Sequence, residues 1–303
     1  MEIRKAERKK AKLRLGIAAP SGAGKTYSAL QLAFGLGGKI GLIDTEHGSG
    51  DLYAHLGDYD IIGIEAPYTV NKYLQAIKAF ETAGYTTIII DSLSHAWAGD
   101  GGLLDKQGKI ADSGKANGFA AWRTITPEHN ALVEAMLRSP CHVIATMRAK
   151  QEYVLETNDK GKQTPKKVGL APVQRDGMEY EFTVMLDIDM HHIASASKDR
   201  TSLFDGQYFK ITEDTGATLL AWLESGAEPP KFSDEKMAEL TGAIVDATAI
   251  EALQAAFAAA YKYAKGFGNT DAMTSAQNVY NGRKAEMTAP QEEKAPEFDD
   301  LPF

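Results

Sequence analysis

The stretch of sequence that decides the fold is Ala19-Pro20-Ser21-Gly22-Ala23-Gly24-Lys25-Thr26, which follows a short apolar run and precedes a helical pattern. It fits the Walker A motif, G-x-x-x-x-G-K-[ST], except that Ala19 takes the place of the first glycine. The glycines let backbone N–H groups face phosphate oxygens, and the helix N-terminus adds a positive dipole end. We expect Lys25 to reach the β- and γ-phosphates and Thr26 to ligate Mg²⁺, so the predicted cofactors are ATP and Mg²⁺. The residues predicted to line the nucleotide site are Pro20, Ser21, Gly22, Ala23, Gly24, Lys25, Thr26 and Tyr27.

Apolar runs and helical patterns alternate on both sides of this motif. Continuous apolar strands of this kind are buried on both faces of a parallel sheet. Two further strands are expected to run antiparallel at one end of the sheet. The sequence therefore predicts an α/β fold, a P-loop NTPase core with a mostly parallel twisted sheet over residues 13–226. The predicted strands are 13–19, 39–46, 60–66, 86–91, 141–148, 181–190 and 191–197, and the helices are 25–36, 69–84 and 119–139, the last broken before Pro127.

Acidic side chains follow two of the predicted strands. Asp91 ends an apolar run and is placed to hold Mg²⁺ opposite Thr26. Glu46 lies just past the second strand, which we expect to be the neighbour of the P-loop strand, so Glu46 is the candidate general base for the attacking water. Asp44 and Asp51 are rivals for that role, and a solvated loop carboxylate is the plainer interpretation of Glu46.

Two long segments, 94–118 and 149–180, interrupt the alternation and are predicted to be irregular loops. Lysines occur throughout both of them. Such loops could follow the phosphates of a single strand of DNA, with Trp97 or Tyr153 stacking on bases. For any one of these lysines, the simpler interpretation is that its charge keeps the protein soluble. The candidate DNA-binding residues are Lys150, Lys160, Lys162, Lys166 and Lys167, with Lys106, Lys109 and Lys115 in the first segment.

The composition limits the class of protein. The 303 residues have a formal net charge of −8, and the single cysteine, Cys141, excludes an intramolecular disulfide framework. No apolar stretch reaches the length of about 18 residues that a membrane span needs. We therefore expect a cytoplasmic protein without a membrane partner. His191 and His192 are interpreted as strand-edge residues, because no third metal ligand has a suitable spacing.

Charge and composition are uneven along the chain. Residues 1–14 form a basic N-terminal arm, which is a further candidate surface for DNA. Residues 233–287 are rich in alanine and predict a small helical domain, with one helix at 237–265 and a shorter one at 271–286. Residues 288–303 are polar and acidic, and they predict a disordered tail.

Several segments, in order along residues 13–225, resemble RecA-like recombinases. LIDTEHGSGD (42–51) is similar to the segment with their catalytic glutamate, and TTIIIDSLSHAW (86–97) is similar to their Walker B strand. VIATMRAK (143–150) is similar to the strand before their second DNA-binding loop, with Thr146 where their sensor glutamine stands. ASKDRTSLF (196–204) is similar to their K-x-K segment. The resemblance therefore implies a RecA-like core and a homo-oligomer in which Lys198 and Arg200 reach the ATP of a neighbouring subunit.

The P-loop together with residues 147–156 and 172–182 most resembles phage-encoded ATPases of the RecA-like single-strand-annealing group. This resemblance implies an ATP-hydrolysing recombination protein that binds single-stranded DNA and promotes annealing or strand exchange. A RecA-like helicase or loader ATPase, and a nucleotide-gated DNA-binding scaffold with negligible turnover, remain alternatives.

The C-terminal sequence EFDDLPF (297–303) resembles the acidic tip of bacterial single-stranded-DNA-binding proteins. That resemblance implies that host replication or repair proteins are partners of this tip. The residues concerned are Asp299, Asp300, Pro302 and Phe303.

Overall fold

A single, mostly parallel sheet organises the first of two units in the computed structural model, which describes residues 5–113, 118–157, 163–228 and 231–288. The two units divide between Ala227 and Glu228. The described strands are β1 (Arg14–Ala19), β2 (Ile40–Asp44), β3 (Asp60–Gly63), β4 (Thr87–Asp91), β5 (His142–Thr157), β6 (Gln163–Pro172), β7 (Val184–Ile188), β8 (Ala194–Asp199) and β9 (Tyr208–Phe209). The helices of the first unit are α1 (Lys25–Leu36), α2 (Val70–Thr82), α3 (Leu93–Ala98), α4 (Leu103–Asp112), α5 (Gly118–Arg138) and α6 (Glu213–Glu224), with 3₁₀ turns at Ser49–Leu56 and Met178–Glu181.

The strand order is β3-β2-β4-β5-β1-β7-β8-β9, and β6 pairs with the outer part of β5. The first six strands in this order are parallel, whereas β8 and β9 join antiparallel. The predicted α/β fold with a mostly parallel sheet is confirmed. The antiparallel pairing at one end is confirmed as well. Because the central strands are parallel, their carboxyl ends meet at one edge of the sheet, where the loops that follow them lie together.

Both faces of the sheet are buried under helices. In β4, Ile88 and Ile90 belong to one apolar cluster and Ile89 to the other, as expected for alternating side chains of a central strand. Helices α2 and α5 contribute to the first cluster, and helices α1 and α6 contribute to the second. The continuous apolar runs seen in the sequence are therefore explained by burial on both sides.

Helix α5 continues through Pro127, so the predicted break before this residue is wrong. Proline removes one backbone hydrogen bond and costs about 3 kcal/mol inside a helix. Ile125, Leu132 and Met136, on either side of it, are buried in the same cluster. Burying one large apolar side chain contributes about 1.5–3 kcal/mol, so their shared burial outweighs the cost of the proline.

The two segments that were expected to be irregular loops contain regular structure. Helices α3 and α4 occupy most of the first, and their lysines pair with carboxylates: Lys106 with Glu128, and Lys109 with Asp105 at 2.7 Å. The second segment is largely a hairpin in which β6 runs antiparallel to β5. Strand pairing satisfies the backbone of this hairpin, although its sequence lacks the apolar run that marks a buried strand. Lys115, Lys160 and Lys162 lie outside the described residues.

The basic N-terminal arm is docked on the first unit from Arg8 onward. The Arg8 guanidinium lies 4.0 Å from the ring centre of Trp222, and Lys10 forms an ion pair with Glu224 at 3.0 Å. Arg14 is buried and donates to the backbone carbonyls of Leu13, Leu137, Ser139 and Cys141. Several of the charges that made residues 1–14 a candidate DNA surface are therefore engaged within the protein.

The second unit contains three described helices, α7 (Asp234–Val245), α8 (Ile250–Gly266) and α9 (Thr270–Thr288). The single helix predicted at 237–265 is wrong, because the chain turns between α7 and α8. The turn lets the helices bury Ile244, Leu253 and Ala276 in one core, which an uninterrupted helix could not do. The disordered tail was predicted at residues 288–303. Thr288 ends α9, and residues 289–303 lie outside the described residues. Within the described part of the chain, no helix has both the length and the apolar character needed to cross a membrane.

Candidate active site

The P-loop connects the buried strand β1 to helix α1. Gly22 and Gly24 have φ angles of 80° and 88°, in the left-handed region that side chains with a Cβ rarely adopt. Ala19, by contrast, is the last residue of β1 and needs no left-handed backbone. This position therefore accepts alanine in place of the usual first glycine without strain.

Lys25 is held by the loop that precedes it. Its Nζ donates hydrogen bonds to the backbone carbonyls of Ala19 at 3.2 Å and Pro20 at 3.0 Å. Burial lowers the pKa of Lys25, while the nearby carboxylates of Asp91 and Glu46 act in the opposite direction. A lysine in this position has weak neutral acceptors that phosphate oxygens can replace.

Asp91 lies at the carboxyl end of β4 and is almost fully buried. The Thr26 hydroxyl donates to its Oδ2, and the Thr146 hydroxyl donates to its Oδ1 at 2.5 Å. Burial raises the pKa of Asp91, and these two hydrogen bonds oppose that effect. The structure thus brings Thr26, Asp91 and Thr146 together, and Thr146 contacts Asp91 from the neighbouring strand β5.

Glu46 is bound by an arginine that the sequence did not single out. Arg148 donates from Nε to Glu46 Oε1 at 3.1 Å and from a terminal nitrogen to Oε2 at 2.6 Å. The Ser92 hydroxyl also donates to Oε1, at 3.0 Å. Burial raises the pKa of Glu46, but Arg148, with smaller contributions from His95 and Ser92, outweighs it, so the net pKa is lowered. The position of Arg148 at the end of the predicted strand 141–148 was the available signal.

The expectation that β2 is the neighbour of the P-loop strand β1 is wrong. Strand β2 does not adjoin β1, because β4 and β5 lie between them. Glu46 reaches the site through the loop after β2, where it meets Ser92, just after β4, and Arg148, at the last pair of β5 with β1. The order of the strands depends on pairing between distant parts of the chain, which local sequence patterns do not contain.

The two rival carboxylates have other surroundings. Asp44 is buried and accepts the backbone N–H groups of Glu46 at 2.6 Å and Gly50 at 3.0 Å, so it shapes the loop. Asp51 is exposed and lines a surface cavity together with Lys39 and Tyr59. Of the three acidic residues, Glu46 is therefore the one whose carboxylate contacts Ser92, just after β4, and Arg148 on β5.

A histidine adds to the surroundings of Glu46. His95 Nδ1 lies 4.0 Å from Glu46 Oε1 and 2.7 Å from the Thr45 hydroxyl, and its ring stacks on Tyr68 at 4.7 Å. Burial lowers the pKa of His95, and the Arg148 charge adds to this. Arg148 makes two hydrogen bonds to Glu46, whereas the His95 ring nitrogen stays 4.0 Å from it.

Other predicted site residues are placed as follows. The side chains of Lys198 and Arg200 both donate to the carbonyl of Tyr180 in their own chain, so a role at a neighbouring subunit stays a prediction.

Lys150 is exposed on β5, and Tyr27 is 43% exposed beside the P-loop. Trp97 is buried and stacks on Trp122 with ring centres 5.8 Å apart, so it is not available to stack on a base.

The residues of this site fit a nucleotide with a divalent cation. The Thr26 hydroxyl and the Asp91 carboxylate are adjacent oxygen donors of the kind that Mg²⁺ takes. Lys25 supplies a cation at the loop whose glycines allow backbone N–H groups to approach phosphates. A bound Mg²⁺ would neutralise charge on the phosphate oxygens. A role of Glu46 in accepting a proton from water stays a prediction, since both of its carboxylate oxygens accept from Arg148.

A family model described as an AAA domain matches residues 11–216, which is well over half of the chain. The chain belongs to this family of AAA-type P-loop ATPases. The matched span begins just before β1 and ends within α6, so it includes every residue of the site described above. ATPases of this type bind ATP and typically Mg²⁺, and the family supports nucleotide hydrolysis as the general activity. A search of curated proteins gives no match.

Proposed function

We propose that this AAA-type ATPase binds single-stranded DNA and promotes annealing or strand exchange in DNA recombination. The observation that supports this proposal is the course of β5. The strand passes the catalytic residues and then continues outward into the hairpin with β6. Three of its residues, Thr146, Arg148 and Lys150, alternate along it and so share one face. Thr146 contacts Asp91, and Arg148 contacts Glu46. Lys150, the next residue on this face, is exposed.

This arrangement connects a polymer site to the general base. Residues two apart on a strand are separated by about 7 Å, so a phosphate held at Lys150 would be near Arg148. An arginine–carboxylate pair that is partly exposed is worth little, and a phosphate is a strong competing acceptor for a guanidinium. Moving Arg148 to that phosphate would release Glu46. Bound DNA would therefore stimulate hydrolysis.

The hairpin offers further cations for the polymer. Lys166 and Lys167 lie on β6, where their backbones pair with Val154 and Tyr153 of β5. Lys160 and Lys162, in the connection between the two strands, fall outside the described residues. Together with Lys150 these residues make the hairpin the proposed DNA-binding element, in place of the α4 segment, where Lys106 and Lys109 are already paired with carboxylates.

The test measures the ATPase rate and the DNA affinity of the full chain with oligo-dT. We expect DNA to raise the rate. We also expect the log of the affinity to fall with the log of salt concentration, with a slope of about −0.7 per phosphate neutralised. Replacing Lys150, Lys166 and Lys167 by alanine should flatten that slope, whereas replacing Lys106 and Lys109 should leave it unchanged. Equal slopes for the two sets of variants would remove the hairpin from the proposal.

A scaffold with negligible turnover is the second candidate, and the engagement of Glu46 by Arg148 favours it. In that case ATP, or an analogue that resists hydrolysis, should tighten DNA binding while hydrolysis stays at the background rate with DNA present. Hydrolysis stimulated by DNA would exclude the scaffold. A helicase or loader would differ from both candidates by unwinding a duplex or by delivering a second protein to DNA.

Two proposals concern partners. The C-terminal residues 298–303 lie outside the described residues, and we propose that they bind host replication or repair proteins that recognise the tip of single-stranded-DNA-binding proteins. Deleting them should spare ATPase activity and abolish a salt-sensitive interaction with such a protein.

We also propose a homo-oligomer in which Lys198 or Arg200 acts on the ATP of a neighbour. Mixing Arg200→Ala with Lys25→Ala subunits should then restore activity.

A further inference from the structure

The turn between β7 and β8, residues 189–193, lies against the P-loop. Strand β7 runs parallel to β1, with Asp187 opposite Ala18, so the turn after β7 emerges beside the loop after β1. His192 Nδ1 lies 3.1 Å from the carbonyl oxygen of Ala23. A Cβ added to Gly24 would lie 3.4 Å from the same nitrogen. The imidazole is therefore packed on the middle of the P-loop.

The backbone of this turn fixes the place of the ring. The Asp189 carboxylate accepts the N–H groups of His191 at 2.8 Å and Ile193 at 2.9 Å. The backbone N–H of Asp189 donates to the Ile193 carbonyl at 3.0 Å. His192 has a φ of 63°, a left-handed backbone that is uncommon for a residue with a side chain. The interpretation of both histidines as strand-edge residues is therefore wrong, because β8 begins only at Ala194.

The chemistry of the contact assigns the proton. A carbonyl oxygen can only accept, so Nδ1 must carry a hydrogen and donate it to Ala23. A peptide unit is planar and trans, so its carbonyl and its N–H point in opposite directions. A hydrogen bond that holds the Ala23 carbonyl from outside the loop therefore also sets the direction of the Gly24 N–H. Backbone N–H groups of such loops are the groups that bind phosphate.

We propose that His192 is a positioning residue for nucleotide binding, which holds the Ala23–Gly24 peptide so that the Gly24 N–H is presented to phosphate. The residue acts through the P-loop and takes no part in proton transfer. Because ATP and ADP both place phosphates in this loop, His192 should affect the affinity for both. This inference concerns the nucleotide site alone and does not depend on the proposed DNA function.

Three substitutions separate the hydrogen bond from the shape of the turn. His192→Ala removes the ring and keeps a Cβ at a positive φ. His192→Gly removes the ring and relieves the backbone. His192→Asn keeps a donor nitrogen at the same number of bonds from the backbone as Nδ1 and tolerates the left-handed region. His191→Ala is the matched control, because His191 is the adjacent residue of the same turn and is exposed, as His192 is.

The experiment measures the Kd of ATP and ADP by calorimetry on the full chain, together with KM and kcat. We expect His192→Ala and His192→Gly to weaken both nucleotides by about 3- to 10-fold, the range for loss of one hydrogen bond. KM should rise more than kcat falls, because uniform binding is lost. His192→Asn should bind nearly as the wild type does, and His191→Ala should be unchanged.

Each contrary result overturns the proposal. If His192→Gly binds nucleotide like the wild type, the histidine serves only the backbone of the turn. If His192→Ala binds like the wild type, the contact with Ala23 has no role in binding. If His192→Asn is as weak as the alanine variant, the donor nitrogen is not what the P-loop requires.

Discussion

His142, the first residue of β5, makes the stability of the ATPase unit sensitive to acid. Its ring is buried, and Nδ1 accepts the backbone N–H of Leu13 at 3.1 Å, just before β1 begins. Lys12 Nζ lies 3.4 Å from the other ring nitrogen. Burial lowers the pKa of His142 from 6.5 to about 4, and the charges of Lys12 and Arg14 add to this effect. A protonated ring could no longer accept from Leu13.

The sign of the effect follows from comparing the two states. Below pH 6.5 the unfolded chain binds a proton at this residue, whereas the native protein binds it only when the pH falls to about 4. Stability is therefore highest above pH 6.5 and is lost as the pH falls toward 4. The difference corresponds to about 2 kcal/mol at pH 5 and about 3 kcal/mol once both states are protonated. A loss of that size is a large part of the stability of an ordinary domain.

The assay is urea unfolding at about pH 7.5, 6 and 5, followed by tryptophan fluorescence. All three tryptophans lie in the first unit, so the signal reports on that unit alone. His142→Asn offers an oxygen to Leu13 but does not titrate, so its stability should fall by about 2 kcal/mol less than that of the wild type between pH 7.5 and 5. His55→Asn, at an exposed histidine, is the control and should follow the wild type. Parallel pH dependence of His142→Asn and the wild type would refute the reasoning.

Three catalytic predictions follow from the site. Lys25→Ala should abolish turnover and weaken ATP binding, because it removes the cation of the phosphate loop; hydrolysis at the wild-type rate would contradict the site. Glu46→Gln should keep ATP binding and lose most hydrolysis, while Asp51→Asn should hydrolyse normally; the opposite pattern would move the base to Asp51. Arg148→Gln should shift the acid limb of the pH–kcat profile measured without DNA to higher pH, because Arg148 lowers the pKa of Glu46; an unmoved limb would mean that the pair is absent in the DNA-free enzyme.

The parts of the site that the sequence predicts are those set by contiguous residues. The P-loop needs two glycines, a lysine and a threonine at fixed spacing, and strand and helix patterns flank it directly. Asp91 was predictable because it ends a continuous apolar run and because its order and spacing after the P-loop are suitable. Each of these features depends on local backbone geometry or on the period of apolar residues.

The parts that were missed depend on contacts between distant residues. Arg148 and Glu46 are 102 residues apart in the sequence. They meet because β2 and β5 are the two neighbours of β4 in the sheet. His192 and Ala23 are 169 residues apart, and they meet because β7 adjoins β1. The hairpin of β5 and β6 was missed for another reason: its backbone pairing does not require the apolar run that identifies a strand within a sheet.

The contacts within the site also distinguish nucleotide binding from hydrolysis. Lys25 is bound to neutral carbonyls, which anionic phosphates can replace, and Thr26 donates to Asp91, where a divalent cation would find both oxygens. Glu46 is different, because its partner Arg148 is a charged, two-point donor, for which another anion would be the competing acceptor. The neutral partners of Lys25 can therefore be exchanged for phosphate directly, whereas a role of Glu46 as general base would require an anion to draw Arg148 away; in the proposed function that anion is a phosphate of DNA.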